Sequence, residues 1–424
     1  KVRTVVRLFG LHMDSHTDPV VMTVLGPVSP GQLCVPALCR EWLLNDQSVL
    51  RTCDGVGDAG DQVTLETVAI ARRWPLRFLH NLHLSYDDIL AELNSLPQGS
   101  VVVDCTPRAY WAQTDPGQRS ALLWSLASES GARLVMGTVP SLETHSAGGD
   151  VDLVKAAAEQ MMHELREGHE LRVVPGYSDR LRLPQSGSPQ NVRAGFVGEL
   201  ALSSSEVAET LELLALRAGV EVQVRTGAPM IVSGPVSRKA FAILDGSCLW
   251  GRCVFFDVPH DSPISSTLLA ERGGLLGYSP PSAGANIAWQ LFPHQKPWNS
   301  EADFLSAVSR GAVDGQVLTG SGLRFRTDLQ AFGGFGLAHT PSLLASIANQ
   351  DDLQAMLRNA SVQFLQYSWK PLAAEAAKPP PGPDTIVCQW CGTLRSDGKH
   401  FSKMGFDYCT PKCIREHKQV DFAP

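Results

Sequence analysis

The sequence contains no run of about 18 consecutive apolar residues, the length that a helix needs to cross a bilayer, so it reads as a soluble chain without a membrane span. It also lacks an excess of positive charge. Lysine and arginine number 36 against 43 aspartates and glutamates, a formal net charge of −7, so no global field draws it to nucleic acid or an anionic membrane. Any such binding has to be local. Charged residues are few, at 19%, while hydrophobic residues reach 44% alongside 37 glycines and 28 prolines, a globular composition that excludes disorder as the state of the whole. No repeat of solenoid period occurs. No Gly-x-Ser-x-Gly surrounds Ser233, Ser237, Ser265 or Ser266, which argues against a serine nucleophile. The sequence starts at Lys1 rather than Met, so a removed targeting segment is neither visible nor excluded.

What is present is a recurrence of short apolar, β-branched runs: Leu33 to Ala37, Val101 to Cys105, Arg133 to Gly137, Ala194 to Leu200, Glu221 to Arg225, Arg252 to Phe256, Leu275 to Tyr278 and Gln316 to Thr319. Between most of them lie stretches of helical spacing. In residues 121–131, Leu122, Leu123 and Leu126 share a face and Gly131 offers a C-cap, and residues 205–218 repeat the logic before Gly219. Eight such strands alternating with helices predict an α/β fold, a parallel (β/α)8 TIM barrel. The rival is an open doubly wound sheet, which brings a Gly-rich phosphate loop after its first strand, and none follows Ala37. Residues 7–22 read as an inserted surface loop between Val2 to Val5 and Thr23 to Val28. The proline-rich stretch from Leu372 to Asp384 reads as a semi-rigid linker, dividing a barrel over 1–371 from a small module over 385–424.

Several phrases of the larger part, taken in order, resemble the phosphotriesterase-related branch of the amidohydrolase superfamily. They are Val24-Leu-Gly-Pro-Val-Ser-Pro30 with Leu33-Cys-Val35, Val101-Val-Val-Asp-Cys-Thr-Pro107, Arg133-Leu-Val-Met-Gly-Thr138, Phe196-Val-Gly-Glu-Leu200, and Gly333-Gly-Phe-Gly336 with His339 and Leu343-Leu344, closing at Asn359-Ala360. The resemblance implies two divalent metals at the C-terminal mouth of the barrel, lowering the pKa of a bridging water and polarising an ester or amide. It also implies the ligands: a His-x-His from strand one, a bridging carboxylate or modified lysine from strand four, a histidine each from strands five and six, and an aspartate from strand eight. Residue by residue, those positions fall on Cys39-Arg40-Glu41, Glu199, Arg225, Asp257 and Gly322, and Glu199 alone matches. A fixed cation at Arg225 would repel a metal by about 4 kcal/mol per unit charge at 4 Å and an effective dielectric near 20. The expectation is a degenerate mouth, with Arg225 paired to Glu199 or Asp257. Cys39, Glu41, Glu199 and Asp257 are the set that could still hold one cation. His260, His294 and His339 read as loop or packing residues, with His260 the one most easily misplaced in this alignment. Arg324 and Arg326 could hold an anion at the mouth but read as a solvated loop.

Four of the ten cysteines lie in the last 40 residues, a clustering that reads as metal rather than disulfides and points to a reducing, intracellular compartment, with cytoplasm, nucleus and mitochondrion undistinguished. Cys388 and Cys391 fit a zinc knuckle with Gly392 at its turn. Cys409 and Cys413 fit a helix start with Pro411 in its first turn. Four thiolates complete a tetrahedral structural zinc site, with His417 as an alternative fourth ligand to Cys413 and His400 a weaker one. The phrase Tyr408-Cys-Thr-Pro-Lys-Cys413 with His417 resembles treble-clef fingers of the MYND and TRASH type. So small a module cannot bury a sufficient core, and zinc would supply its folding energy.

The reading that follows is a barrel that has lost its metal centre, a pseudoenzyme serving as scaffold or binding subunit of an assembly, with a finger contacting a protein partner. The first alternative is a divergent metal-dependent hydrolase of esters or amides. The second is a nucleic-acid-associated factor acting through the finger.

Overall fold

A computed structural model describes residues 19–33, 37–51, 62–111, 115–142, 150–172, 191–203, 206–259, 262–280, 300–313, 315–346 and 350–367, with 386–387, 394–395, 401–403, 406–408 and 410–411 beyond them. The first described elements are an antiparallel pair, β1 (Val20–Thr23) and β2 (Gly26–Val28). The barrel follows, as β3 (Leu38–Glu41), β4 (Val101–Asp104) and β5 (Arg133–Thr138). A short antiparallel pair, β6 (His169–Glu170) and β7 (Asn191–Val192), interrupts it. It resumes with β8 (Phe196–Ala201), β9 (Met230–Ser233), β10 (Cys253–Phe256), β11 (Leu275–Tyr278) and β12 (Val317–Thr319). These eight strands are parallel, and Thr319 of β12 pairs with Leu38 of β3 to close the barrel.

The two-residue period of the strands separates two environments. Cys39, Val101, Val103, Val135, Phe196, Ile231, Val254, Phe256 and Leu318 fill the barrel interior as one cluster. Their neighbours Val102, Leu134 and Met136 pack on one outer set of helices, and Val197 and Val232 on another. Helix Pro116–Ser130 shows why the outer layer forms where it does. Asp115 accepts from the Gln118 N–H, Pro116 takes the first turn, and Gly131 ends the helix in the left-handed region at φ 71°.

The chain's barrel ends are clasped together. β13 (Gln366–Tyr367) pairs antiparallel with β1, the Val24 N–H donates to the Leu134 carbonyl at 2.8 Å, and the Tyr367 hydroxyl to that of Ala194 at 3.4 Å. This three-stranded patch lies across the N-terminal ends of β5 and β8, opposite the mouth.

Three expectations are corrected. The first barrel strand is Leu38–Glu41 rather than Leu33 to Ala37: Pro30 opens a 3-10 turn over Pro30–Gln32 that Leu33 caps, and 34–36 lie outside the described residues. Residues 20–22 belong to β1 rather than to an inserted loop, and 7–18 lie outside the described residues. Glu221 to Arg225 is no strand: it closes the long helix Glu206–Thr226, and the fifth barrel strand is β9. The alternation Val220, Val222, Val224 mimics a strand, but burial of Leu216, Val220, Gln223 and Thr226 follows the three-to-four spacing of a helix.

In the C-terminal module β14 (Ile386–Val387) pairs with β15 (Leu394–Arg395), and β16 (Phe401–Lys403) with β17 (Phe406–Tyr408). Cys388 and Cys391 fall in sequence between β14 and β15, and Cys409 follows β17. These cysteines, Cys413, His400 and His417 lie outside the described residues. Among the described residues no helix is long and apolar enough to cross a membrane.

Candidate functional site at the barrel mouth

The C-terminal ends of the barrel strands gather charge over an apolar floor. Arg40, buried, comes from β3 where its register with β4 slips between Leu38 and Glu41. Its guanidinium stands over the Phe256 ring, 5.7 Å from the centroid. Glycine at 320 leaves the space, since a Cβ there would sit 3.0 Å from the Arg40 amide nitrogen.

Glu199, at the end of β8, is the acceptor at the centre. Arg40 donates to its Oε1 through Nε at 3.1 Å and Nη2 at 2.7 Å, and the Ser233 hydroxyl donates to the same oxygen. The Trp42 indole N–H donates to Oε2 at 3.0 Å. Burial alone would raise the pKa of this carboxyl, but the Arg40 charge and hydrogen bonds, Arg324 and the Ser233 hydroxyl together hold it below the usual carboxylate range. Arg40 also donates through Nη1 to Asp257 Oδ2. Asp257 reaches it from a left-handed backbone, φ 50°, and its other oxygen, Oδ1, is buried without a partner among the described residues. Against the lowering effect of burial, the two carboxylates raise the Arg40 pKa, so the guanidinium is a permanent cation.

Glu41 faces away from this centre. It accepts from the Ser321 N–H at 2.5 Å, the Ser321 hydroxyl and the Leu323 N–H at 3.3 Å, stapling the chain after β12 to β3. Burial pushes its pKa up to about 7, even though these donors and Arg40 pull it down. Cys39 lies among the interior side chains, its thiol directed to the Ala37 carbonyl, and burial pushes its pKa up to about 12. Gly322 has φ 70° and no room for a side chain without pressing on Ser279. Among the described residues no three side chains of the His, Cys, Asp and Glu types come together as a metal-holding group.

Arg225 is not at the mouth. It lies on the outer surface of helix Glu206–Thr226, donating to Glu159 at 2.9 Å and Glu221 at 3.1 Å, because the strand it was aligned to is a helix. The cation that engages Glu199 and Asp257 is Arg40, and the strand-five residue beside them is Ser233. Arg324 reaches the mouth, its guanidinium 4.6 Å from the Trp42 ring centroid. Burial and the like charge of Arg40 lower its pKa, against Glu199, Asp257 and Asp328. Arg326 does not: it pairs with Asp88 at 2.6 Å. Ser237 and Ser265 are helix N-caps, and His339 stacks on Phe335 and meets Glu301 at 3.3 Å. His260 and His294 lie outside the described residues.

Sequence reading missed Trp42, Ser321 and the bridging part played by Arg40. The run Met230-Ile-Val-Ser233, bracketed by Pro229 and Gly234, was the signal for β9 and hence for Ser233.

A closed parallel barrel of eight strands, flanked by helices and followed by a small hairpin-built module, defines a TIM-barrel protein with a treble-clef appendage. The barrel is similar in fold to solved phosphotriesterase-homology and amidohydrolase proteins, and residues 383–424 match the family described as the Vms1-associating treble clef domain. A resiniferatoxin-binding protein from Rhodobacter sphaeroides is similar over 81% of this chain and 94% of its own, with 22% identity and a TM-score of 0.60. The phosphotriesterase homology protein of Escherichia coli, solved with phosphate in its active site, covers 79% of this chain and 99% of its own, at 17% identity and TM-score 0.53. A lactonase from Listeria monocytogenes covers 83% and 99%, at 14% identity and TM-score 0.51. Comparison with curated proteins finds none that matches.

Proposed function

We propose that the chain is a catalytically degenerate barrel, spanning 1–371, that serves as a scaffold or binding subunit of a larger assembly. A linker over 372–384 joins it to a zinc finger over 385–424 that contacts a protein partner. One observation carries the reading: Glu199, the single residue matching the metal-ligand pattern of the family this barrel resembles, is taken up by Arg40, Ser233 and Trp42. A pair of divalent cations does not fit the side chains around it. A guanidinium stands between Glu199 and Asp257, where repulsion of a divalent ion at about 4 Å is on the order of 8 kcal/mol at an effective dielectric near 20. The Cys39 thiol, with its pKa near 12, stays protonated, and the Glu41 oxygens are occupied by Ser321 and Leu323. The charge that the family's metals would supply is supplied here by arginine.

The finger is a closed structural site in this reading, one zinc held by Cys388, Cys391, Cys409 and Cys413, with His417 the alternative to Cys413. The family name supports a partner of the Vms1 type. Unpaired thiols at Cys39, Cys105, Cys248 and Cys253 support a reducing intracellular compartment.

Elemental mass spectrometry of the intact chain tests this directly. One zinc per chain, absent when Cys388→Ser and Cys391→Ser are combined, is the expected result. Two or more metals, with any surviving in that variant, would overturn the degenerate reading. Binding of purified Vms1 that Cys409→Ser leaves intact would overturn the role of the finger.

A further inference from the structure

The connection from β3 to β4 carries an apolar surface that the barrel does not use. Leu65 is 80% exposed, Ile70 54% and Trp74 42%, with Leu79 also exposed. Ile70 and Trp74 are one turn apart on the helix Val68–Arg73 and its cap, the Trp74 N–H donating to the Ile70 carbonyl at 2.9 Å. The exposure is not slackness. Beneath it Val63, Ala71 and Phe78 form a small buried core with Val68 and Phe332. Arg72 donates to the Phe332 carbonyl at 2.9 Å, while Asn81 donates to the Pro75 carbonyl at 3.2 Å and accepts from the Thr327 N–H at 2.9 Å. Trp74 is therefore held out to solvent by a firm platform.

Charge says what would cover it. The guanidinium of Arg73 lies 5.8 Å and that of Arg77 4.7 Å from the Trp74 ring centroid, and neither meets a carboxylate among the described residues. Over the described residues 62–82 the Asp, Glu, Lys and Arg side chains are Arg72, Arg73, Arg77 and Glu66, and two of the arginines stand on the Trp74 ring. A rigid tryptophan flanked by arginines is the composition of an interface hot spot, and cations stacked on the ring are already ordered for a carboxylate. A membrane-surface helix would instead lay down a continuous apolar stripe over several turns, and this helix has six residues.

We propose that residues 65–79 dock an acidic peptide segment of a partner protein, its apolar anchor on Ile70 and Trp74 and its carboxylates on Arg73 and Arg77. The site is separate from the finger and independent of whether the barrel is degenerate. The test is fluorescence anisotropy of a fluorescein-labelled peptide alternating Asp and Glu with Leu and Phe, titrated with the full chain. Saturable binding is expected, weakened by about tenfold or more in Trp74→Ala and in the Arg73→Glu, Arg77→Glu pair, and weakened by salt. The arginine pair is exposed or half-buried and meets no carboxylate among the described residues, so it tests the site even if Trp74→Ala impairs folding. Equal binding by wild type and the arginine variant, equal binding of the peptide with Asn and Gln in place of its acids, or capture of phosphatidylserine vesicles but not the peptide would each overturn the proposal.

Discussion

Arg40 sits in an arrangement that removal of one partner damages more than removal of several. Its side chain and that of Glu199 are 5% and 1% exposed, so Arg40→Met leaves two carboxylates in a dry site without their ion-pair partner, with only the more distant charge of Arg324 against them. The expected loss is about 3–5 kcal/mol in urea unfolding, with Arg40→Met combined with Glu199→Gln losing clearly less than the sum of the single changes. The two glutamates at the mouth also titrate in opposite senses. The folded pKa of Glu199 is depressed, so its stabilisation is present above the ordinary carboxylate range and is lost as pH falls through the lower folded value. Burial raises Glu41 to about 7 and Asp328 to about 6, so each favours folding while protonated and that stabilisation drains as pH rises to those values. Stability is therefore expected to decline between pH 5 and 7, on the order of the window those shifts span. Glu41→Gln should lessen the decline from about pH 4.5 upward and remove most of it between about pH 6 and 7, where Asp328 no longer contributes. Urea midpoints at half-unit steps check this; an unchanged slope above pH 6 would remove Glu41 from the account.

At the scale of elements, six of the eight barrel runs were legible because a parallel strand covered on both faces is a short apolar word between helical phrases. The fifth was misread because Val220, Val222 and Val224 alternate, and period two outweighed the capping signals after them. Tertiary context decides such a case: Gly219 lets helix Glu206–Thr226 approach β8, where a Cβ would stand 2.5 Å from a Leu200 methyl. The candidate site suffered from that slip. A residue aligned to the mouth by counting lands on the wrong surface when the element is wrong, which is how Arg225 stood where Ser233 belongs. Arg40 was overlooked for another reason: a residue between two ligand positions points outward in a regular strand, and the slip in β3 is invisible in sequence. The glycines yield a prediction at this scale. At Gly137 an added methyl meets the Gly198 carbonyl oxygen and the Phe196 ring, and at Gly219 a rotatable leucine end. Gly137→Ala should therefore destabilise by about 1–3 kcal/mol or more, while Gly219→Ala, helped by about 1 kcal/mol of helix propensity, should stay near neutral in the same urea series.

At the scale of the molecule, the proposed reading has barrel and finger drawing on different sources of stability: a large apolar interior in one, a zinc ion in the other. A zinc chelator is expected to abolish partner binding while leaving the main calorimetric transition in place; a fall in that transition would mean that the metal also supports the barrel. The clasp of β1 on β13 bears on a different kind of experiment. Val20 pairs with Tyr367 and Val21 with Gln366, so the outer end of each strand faces the outer end of the other. Tension between handles at those two residues would load the ladder one rung at a time rather than all rungs in parallel. In an optical trap the clasp would unzip first and at low force, leaving the eight-strand ring to rupture later as a separate event.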